Sequence, residues 1–320
     1  MNKIILVGGD PNSVNSEIIL KSWKKISNSL KKKIYLISNY NLIKEQSKKL
    51  KFSTKFSKVK NIEDRKNDYS LKIIDINLKY SNPFNVPFEQ ASKFINKSLN
   101  LAHHLAINNK ALGIINCPID KNLLNRNNYG VTEFLASKCN IKNNSEAMLI
   151  WNKKLSVSPV TTHIDVRDIS KNLTSQIIMN KIITIDKFFK RYFRKKPKIG
   201  ILGLNPHNAE MKKNSEEKKV ILPSIFKLKK KGIKLSGPLV SDTFFIDEFK
   251  NYEVIIGMYH DQVLTPFKSM FKFDAINITL GLKYLRVSPD HGVAKNLILK
   301  NKANPKSLIK CLNFINKYGS

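Results

Sequence analysis

Cysteine is scarce in this chain, and arginine is scarcer than its charge suggests. The three cysteines, Cys117, Cys139 and Cys311, are an odd number with no C-x-x-C spacing. They argue against a disulfide framework and against a thiolate zinc site. Long apolar runs are also missing: nothing approaches the roughly 20 residues that cross a bilayer. The stretch from Met1 to Gly9 holds only four consecutive apolar residues, too few for a signal-peptide core. The reading is a soluble, cytoplasmic protein with no membrane partner. Acidic residues number 24 against 57 basic ones, a formal charge of +33. A nucleic-acid binder carries such a charge, yet only six of the basic residues are arginine, the side chain suited to bidentate contacts. The lysines run along the whole chain in short clusters such as Lys31 to Lys33 and Lys229 to Lys231, and the chain is also heavy in Asn and Ile. A composition-wide bias and a solvated lysine surface are therefore expected, with no nucleic-acid partner. The positive field would still attract an anionic substrate.

Several catalytic signatures are absent too. There is no Walker A sequence, no G-x-G-x-x-G, no G-x-S-x-G and no cysteine-nucleophile arrangement. Gly8-Gly9-Asp10 follows a strand-like run, but its glycine pattern is not that of a dinucleotide turn, so a nicotinamide cofactor would need another architecture.

What is present is an alternation. With 320 residues and 42% hydrophobic content, the chain can bury a large core, enough for two lobes. Strand-like runs occur at Ile4 to Val7, Ile34 to Ile37, Ala111 to Asn116, Met148 to Trp151, Lys198 to Leu202, Val254 to Met258 and Ala275 to Leu280. Helical patterns start near Ser16 and span Phe88 to Ile107. Strands alternating with helices predict α/β layers. Residues 41–70 are the most polar and least periodic part, and read as a variable surface segment.

Four of the six histidines lie in polar or turn-rich segments. His163 ends Val-Thr-Thr-His, His207 ends Gly-Leu-Asn-Pro-His, His260 lies in Met-Tyr-His-Asp-Gln, and His291 in Pro-Asp-His-Gly. Loops at strand ends are where α/β proteins place ligand sites. Three neutral imidazoles, His163, His207 and His260, suit a divalent transition metal with positions open for substrate. Polar loop histidines without a metal are the alternative. His103 and His104 lie mid-helix and carry no expected role. Beyond His260 come Lys268, Asn277 and Arg286. Lys and Arg suit phosphate and carboxylate, and Arg286 is the more telling because arginine is rare here.

One set of motifs, taken in order, carries a resemblance over essentially the full chain: Gly9-Asp10-Pro11, Pro118-Ile-Asp-Lys121, Gly130-Val-Thr-Glu133, Val160-Thr-Thr-His163, Gly203-Leu-Asn-Pro-His207, Gly237-Pro238 with Asp242-Thr243, Met258-Tyr-His-Asp-Gln262, Asn277-Ile-Thr-Leu-Gly-Leu282 and Asp290-His-Gly292. Together they resemble the 4-hydroxythreonine-4-phosphate dehydrogenases of vitamin B6 biosynthesis. The resemblance implies a two-lobed, three-layer α/β fold of the isocitrate and isopropylmalate dehydrogenase type, with the active site in the cleft between lobes. The first lobe would comprise 1–135 plus about 295–320, and the second 136–294. It implies a homodimer with shared sites, a divalent metal (Zn, Mg or Co) on His163, His207 and His260, and substrate contacts from Thr132, Lys268, Asn277 and Arg286. The loop from Asp290 to Pro305, with His291, Gly292 and Asn304, resembles a loop that holds NAD or NADP. The implied reaction oxidises and decarboxylates 4-phosphooxy-L-threonine to 3-amino-2-oxopropyl phosphate. Lys268 and Asp261 are the candidate catalytic side chains, Asp261 as an orienter or base beside His260, or as a structural carboxylate.

The sequence also departs from the pattern. The family's Gly-His-Thr-Glu is Gly130-Val131-Thr132-Glu133 here, so a substrate-contacting histidine is lost. The glycine-rich continuation of Gly-Asp-Pro is Asn12-Ser13-Val14-Asn15. In the cofactor loop, His-Gly-Thr-Ala-x-Asp becomes His291-Gly-Val-Ala-Lys-Asn296, and two later glycines become Leu299 and Asn301. Two other readings stay open: a sister dehydrogenase for 4-phosphothreonate or 4-phosphoerythronate, and a non-catalytic binding protein on the same fold.

Overall fold

The computed structural model describes residues 3–64, 68–124, 130–141 and 145–319. The chain divides into two compact units, residues 1–139 with 282–320, and residues 140–281. It builds most of the first unit, then all of the second, then returns to the first.

The opening stretch reads β1 (Ile4–Val7), α1 (Asn15–Lys25), α2 (Asn28–Lys31), β2 (Ile34–Ser38), α3 (Tyr40–Lys49), β3 (Phe56–Val59), β4 (Leu71–Asp75), α4 (Phe88–Ile107), β5 (Gly113–Asn116) and α5 (Val131–Lys138). The second unit follows with β6 (Ala147–Trp151), β7 (Ser156–Thr161), α6 (Ile169–Asn172), α7 (Ser175–Phe188), β8 (Ile199–Leu202), α8 (Leu222–Lys230), β9 (Leu235–Leu239), α9 (Ser241–Phe244), β10 (Val254–Tyr259), α10 (His260–Phe271) and β11 (Ile276–Leu280). The return adds β12 (Leu285–Pro289) and α11 (Lys306–Tyr318). Among the described residues no helix is long and apolar enough to cross a membrane.

In the first unit the strand order is β3-β4-β2-β1-β5-β12, and every described pairing in it is parallel. Parallel strands are covered by helices on both faces, so they read as continuous apolar runs. β1 (Ile-Ile-Leu-Val) and β2 (Ile-Tyr-Leu-Ile-Ser) are buried throughout. That is why both are visible in the sequence.

In the second unit the order is β11-β6-β7-β10-β8-β9. β7, β10, β8 and β9 run parallel, while β6 is antiparallel to both β7 and β11. Under the sheet Ile150, Val157, Leu202, Ile255, Val263 and Phe267 form one packed cluster with α10.

Two expectations need correction. The chain re-enters the first unit at Leu282, not near 295, because β12 pairs with β5, Leu285 against Gly113. Arg286 therefore belongs to the first unit. Residues 41–70 are not a mere surface segment: they include most of α3 and all of β3. Within that span, 65–67 lie outside the described residues.

Candidate functional site

Four parallel strands of the second unit bring their C-terminal ends to one edge, and each is followed by a potential ligand. His163 follows β7, His260 opens α10 after β10, His207 lies five residues past β8, and Asp242 lies in α9 just past β9. Spatial neighbours are thus assembled from positions far apart in sequence, through the order β7-β10-β8-β9. The His163 and His260 rings lie 5.8 Å apart, centroid to centroid. His207 stands 3.6 Å from Asp242, Nε2 to Oδ2. His260 Nδ1 lies 2.6 Å from Asp261 Oδ1. With that carboxylate holding Nδ1–H, Nε2 presents its lone pair outward, the usual arrangement behind a metal-bound imidazole.

The loops that carry these groups are held by residues whose role the sequence does not announce. Gln262 accepts the Met258 N–H at 2.6 Å and donates to Gly203 O at 2.6 Å and Ser241 Oγ at 2.8 Å. One amide thereby ties together the ends of β10, β8 and β9. Glu217 is fully buried, and its Oε1 accepts the N–H groups of Leu204 and Asn205, each at 2.8 Å. Burial alone would raise its pKa, but these bonds and those from the Asn205 side chain overcome it and leave the carboxyl below its usual range. Glu216 accepts from Asn205 Nδ2 at 2.8 Å. The backbone at His163 and His207 is left-handed, with φ of +51° and +48°. Non-glycine residues rarely adopt that region, and where they do the site is often functional.

A complete three-histidine cluster is not assembled in this structure. Among the described residues no three His, Cys, Asp or Glu side chains converge to hold an ion. His163 and His260 face each other, and His207 pairs with Asp242 instead. The donor types nevertheless fit a divalent transition metal, being imidazoles and carboxylates on one exposed edge. The backbone of Lys268 and of Asn277 lies away from the strand ends that carry the histidines. Lys268 sits eight residues into α10 from His260, about 12 Å along the axis at helical rise. Asn277 pairs with Ile150, which pairs with Val157, near the start of β7 and away from Thr161. Its Oδ1 is buried without a hydrogen-bond partner.

In the first unit, Arg286 is 3% exposed. Its Nε donates to Asn116 Oδ1 at 2.7 Å, and NH1 to Thr132 Oγ1 at 3.3 Å. Burial pushes the guanidinium down to about 10, against the opposing pull of Glu133. Asn116 is an anchor that sequence reasoning missed, although it stands two residues before the Pro118-Ile-Asp-Lys motif. Thr132 lies in the first turn of α5, where Val131 replaces the family histidine. His103 is not idle: its Nδ1 is 2.9 Å from Tyr284 OH.

The remaining candidates line the segment after β12. Asp290 is buried, and its N–H donates to Ser307 Oγ at 2.9 Å. His291 is half-buried, with Nδ1 3.0 Å from Gly292 O. Gly292 has nothing within 4 Å of where a Cβ would stand, so open space lies on that side of it. Asn304 spends its Oδ1 on the Lys306 N–H, 2.9 Å away at the start of α11, which is a structural tie. Leu299 and Asn301, where the family has glycines, keep left-handed backbone at φ +61° and +54°. The glycine shape survives without glycine, at about 1–2 kcal/mol for a residue such as Leu.

The altered turn after β1 shows the same economy. Asn12 makes two bonds with the backbone of Val86, at 2.7 and 2.8 Å. Ser13 Oγ donates to Asp10 O at 2.5 Å, and Asn15 Nδ2 to Pro118 O at 2.8 Å. Side chains thus close a turn that the family leaves to glycines. Gly9 cannot be replaced here: its φ is +75°, and a Cβ would meet Asn15 Nδ2 at 2.5 Å and Pro118 O at 2.6 Å. Asp10 is buried, and burial raises its pKa.

Comparison with known proteins gives a consistent result. The family model described as pyridoxal phosphate biosynthetic protein PdxA matches residues 29–315. A 4-hydroxythreonine-4-phosphate dehydrogenase of Sulfurihydrogenibium sp. is 35% identical over 98% of this chain and 97% of its own length. A D-threonate 4-phosphate dehydrogenase of Pectobacterium atrosepticum is 34% identical over 68% of each. The crystal structure of 4-hydroxythreonine-4-phosphate dehydrogenase from Klebsiella pneumoniae superposes with TM-score 0.85 and 26% identity, covering 100% of both chains. An isocitrate dehydrogenase from Methylococcus capsulatus, at 10% identity, TM-score 0.51 and coverage of 98% of this chain and 85% of its own, shares the fold.

Proposed function

The chain belongs to the PdxA family of pyridoxal phosphate biosynthetic proteins, and on that premise we propose that it is a dehydrogenase oxidising 4-phosphooxy-L-threonine with loss of CO2 to 3-amino-2-oxopropyl phosphate. The observation that carries the reading is the strand-end edge of the second unit, where the His163–His260 pair and the His207–Asp242 pair follow the C-terminal ends of β7, β10, β8 and β9. A divalent ion (zinc, magnesium or cobalt) held by His163, His207 and His260 would supply Lewis acidity to the substrate hydroxyl. NAD or NADP, bound along Asp290 to Gly292, would take up the hydride, since no side chain can.

The chain's own groups supply the rest. Asp261 holds His260 Nδ1 and so fixes which ring nitrogen faces outward. Arg286, oriented by Asn116 and Thr132, supplies a guanidinium whose direction is set before substrate arrives, as recognition of a phosphate or carboxylate requires. Lys268 and Asn277 are substrate contacts by the same motif match. The same resemblance implies a homodimer in which a second copy completes each site. The working compartment is the cytoplasm.

A second reading has specific support. Val131 stands where the family has a substrate-contacting histidine, and one relative is a D-threonate 4-phosphate dehydrogenase. On that reading the substrate carries a hydroxyl where 4-phosphooxy-L-threonine carries an ammonium. The deciding experiment follows reduced cofactor at its near-ultraviolet absorbance with purified protein, each divalent metal, NAD or NADP, and both substrates. Metal-dependent turnover of 4-phosphooxy-L-threonine, abolished by a chelator, is expected. Turnover of 4-phosphothreonate alone would transfer the assignment to the sister reaction, and no turnover of either would point to a non-catalytic protein.

A further inference from the structure

Glu17 and Lys21 lie one turn apart on α1 and are not among the motifs that identify the site, yet they grip the segment after His291. Glu17 is 1% exposed, an unusual place for a carboxylate. Its Oε1 accepts the Ala303 N–H at 2.8 Å and the Lys21 ammonium at 2.6 Å. Lys21 Nζ also donates to Asn301 O at 2.9 Å and to Ala303 O at 3.0 Å. Two side chains thereby fix three backbone groups within three residues. Just ahead of α1, the Val14 N–H donates to Val293 O at 3.2 Å, and Lys295 is held by Asp120 at 3.0 Å. The loop is pinned near both ends.

The segment needs such a grip. Ala294, Leu299 and Asn301 all have left-handed backbone, with φ of +46°, +61° and +54°. Asparagine tolerates this shape, but Ala294 and Leu299 rarely adopt it, so contacts from outside must help impose it.

We propose that Glu17 and Lys21 are positioning residues for the nicotinamide cofactor, acting through the 301–303 backbone. The inference rests on reading the loop from Asp290 to Pro305 as the cofactor surface. A loop already held in its binding shape loses less conformational freedom when the dinucleotide arrives. Loss of the clamp therefore weakens cofactor affinity and leaves the handling of the phosphorylated substrate unchanged.

The test is direct titration of the full-length protein with NADH and with NADPH, read by nucleotide fluorescence, alongside the KM for the phosphorylated substrate. Lys21→Met is expected to raise the cofactor Kd about tenfold and to move the substrate KM by less than about twofold. Lys21→Arg should recover much of the loss. Leu299→Gly added to Lys21→Met should also recover part of it, because glycine takes the left-handed shape unaided; a merely structural lysine would not show that rescue. Glu17→Gln should match Lys21→Met, and if that buried substitution prevents folding, the Lys21 series decides alone. A Kd unchanged in Lys21→Met while His291→Ala raises it would overturn the clamp and spare the cofactor reading. A Kd unchanged in both would remove the cofactor reading and the clamp with it.

Discussion

The histidine edge of the second unit and Arg286 of the first handle polar side chains in opposite ways. Arg286 is enclosed, with Asn116 and Thr132 of its own unit accepting its hydrogen bonds. His163 and His207 are exposed, their backbone is held in left-handed conformations, and His260 is half-buried with one ring nitrogen occupied by a neighbouring carboxylate. The guanidinium is part of what the first unit packs around. The imidazoles stand at the surface and contribute less to packing. Strained backbone at exposed polar residues is a pattern found at functional sites, and the variants below test whether it holds here.

The sharpest break of this contrast is His260→Ala. Turnover should fall by about a thousandfold, the order of several kcal/mol of Lewis-acid stabilisation. Stability should stay within about 0.5 kcal/mol, as for a surface position away from the core. Kinetics and thermal melting on the same preparation check both. A large drop in stability would mean that the edge is a structural polar cluster, and the comparison would collapse.

Arg286→Met should behave differently. Asn116 Oδ1 and Thr132 Oγ1 would lose a donor in a buried place, which costs about 1–3 kcal/mol. Denaturant unfolding should therefore show a clear loss of stability together with weaker substrate binding. Relief of the desolvated charge works in the other direction. A variant as stable as the parent would mean that the guanidinium is not held for the stability of the fold.

Much of this was legible in the residues, and the illegible part has physical causes. β1, β2 and α4 were visible because parallel strands are apolar end to end and α4 keeps its apolar period through 20 residues. β7 was harder. It carries Pro159 in its interior, paired with Gly257, and proline usually argues against a central strand. α3 hides because its buried face includes Gln46 and Ser47 beside Leu42 and Ile43. The unit boundary was misjudged because apolar pattern says that β12 is a strand and not which strand it joins. At the site, motif residues carried the histidines and Arg286. Glu217, Asn116 and the Glu17–Lys21 pair were invisible because their partners are remote backbone or side-chain groups. One lysine among so many says nothing until its contacts are known.

Glu217 qualifies the contrast, because it is a buried charge that serves the exposed edge. It holds the loop before His207 through the N–H groups of Leu204 and Asn205. Glu217→Gln keeps one acceptor oxygen but loses the charge, and turns an amide donor toward the Asn205 amide. A loss of about 1–2 kcal/mol at pH 7 is expected, within the range for hydrogen bonds to charged groups. The pH dependence fixes the cause. The folded carboxyl titrates below its usual range, while the unfolded one titrates near 4.3. The stabilisation is therefore complete above about 4.3 and is lost as pH falls through the lower, folded value. Unfolding of parent and variant from pH 7 to pH 3 should show two curves that converge on the acid side. Glu216, also held low, is common to both proteins and cancels in the difference. A gap that persists unchanged to pH 3 would mean that the glutamate acts by shape and not by charge. The loop of His207 would then be held by shape and packing, and not by an ionised group of its own.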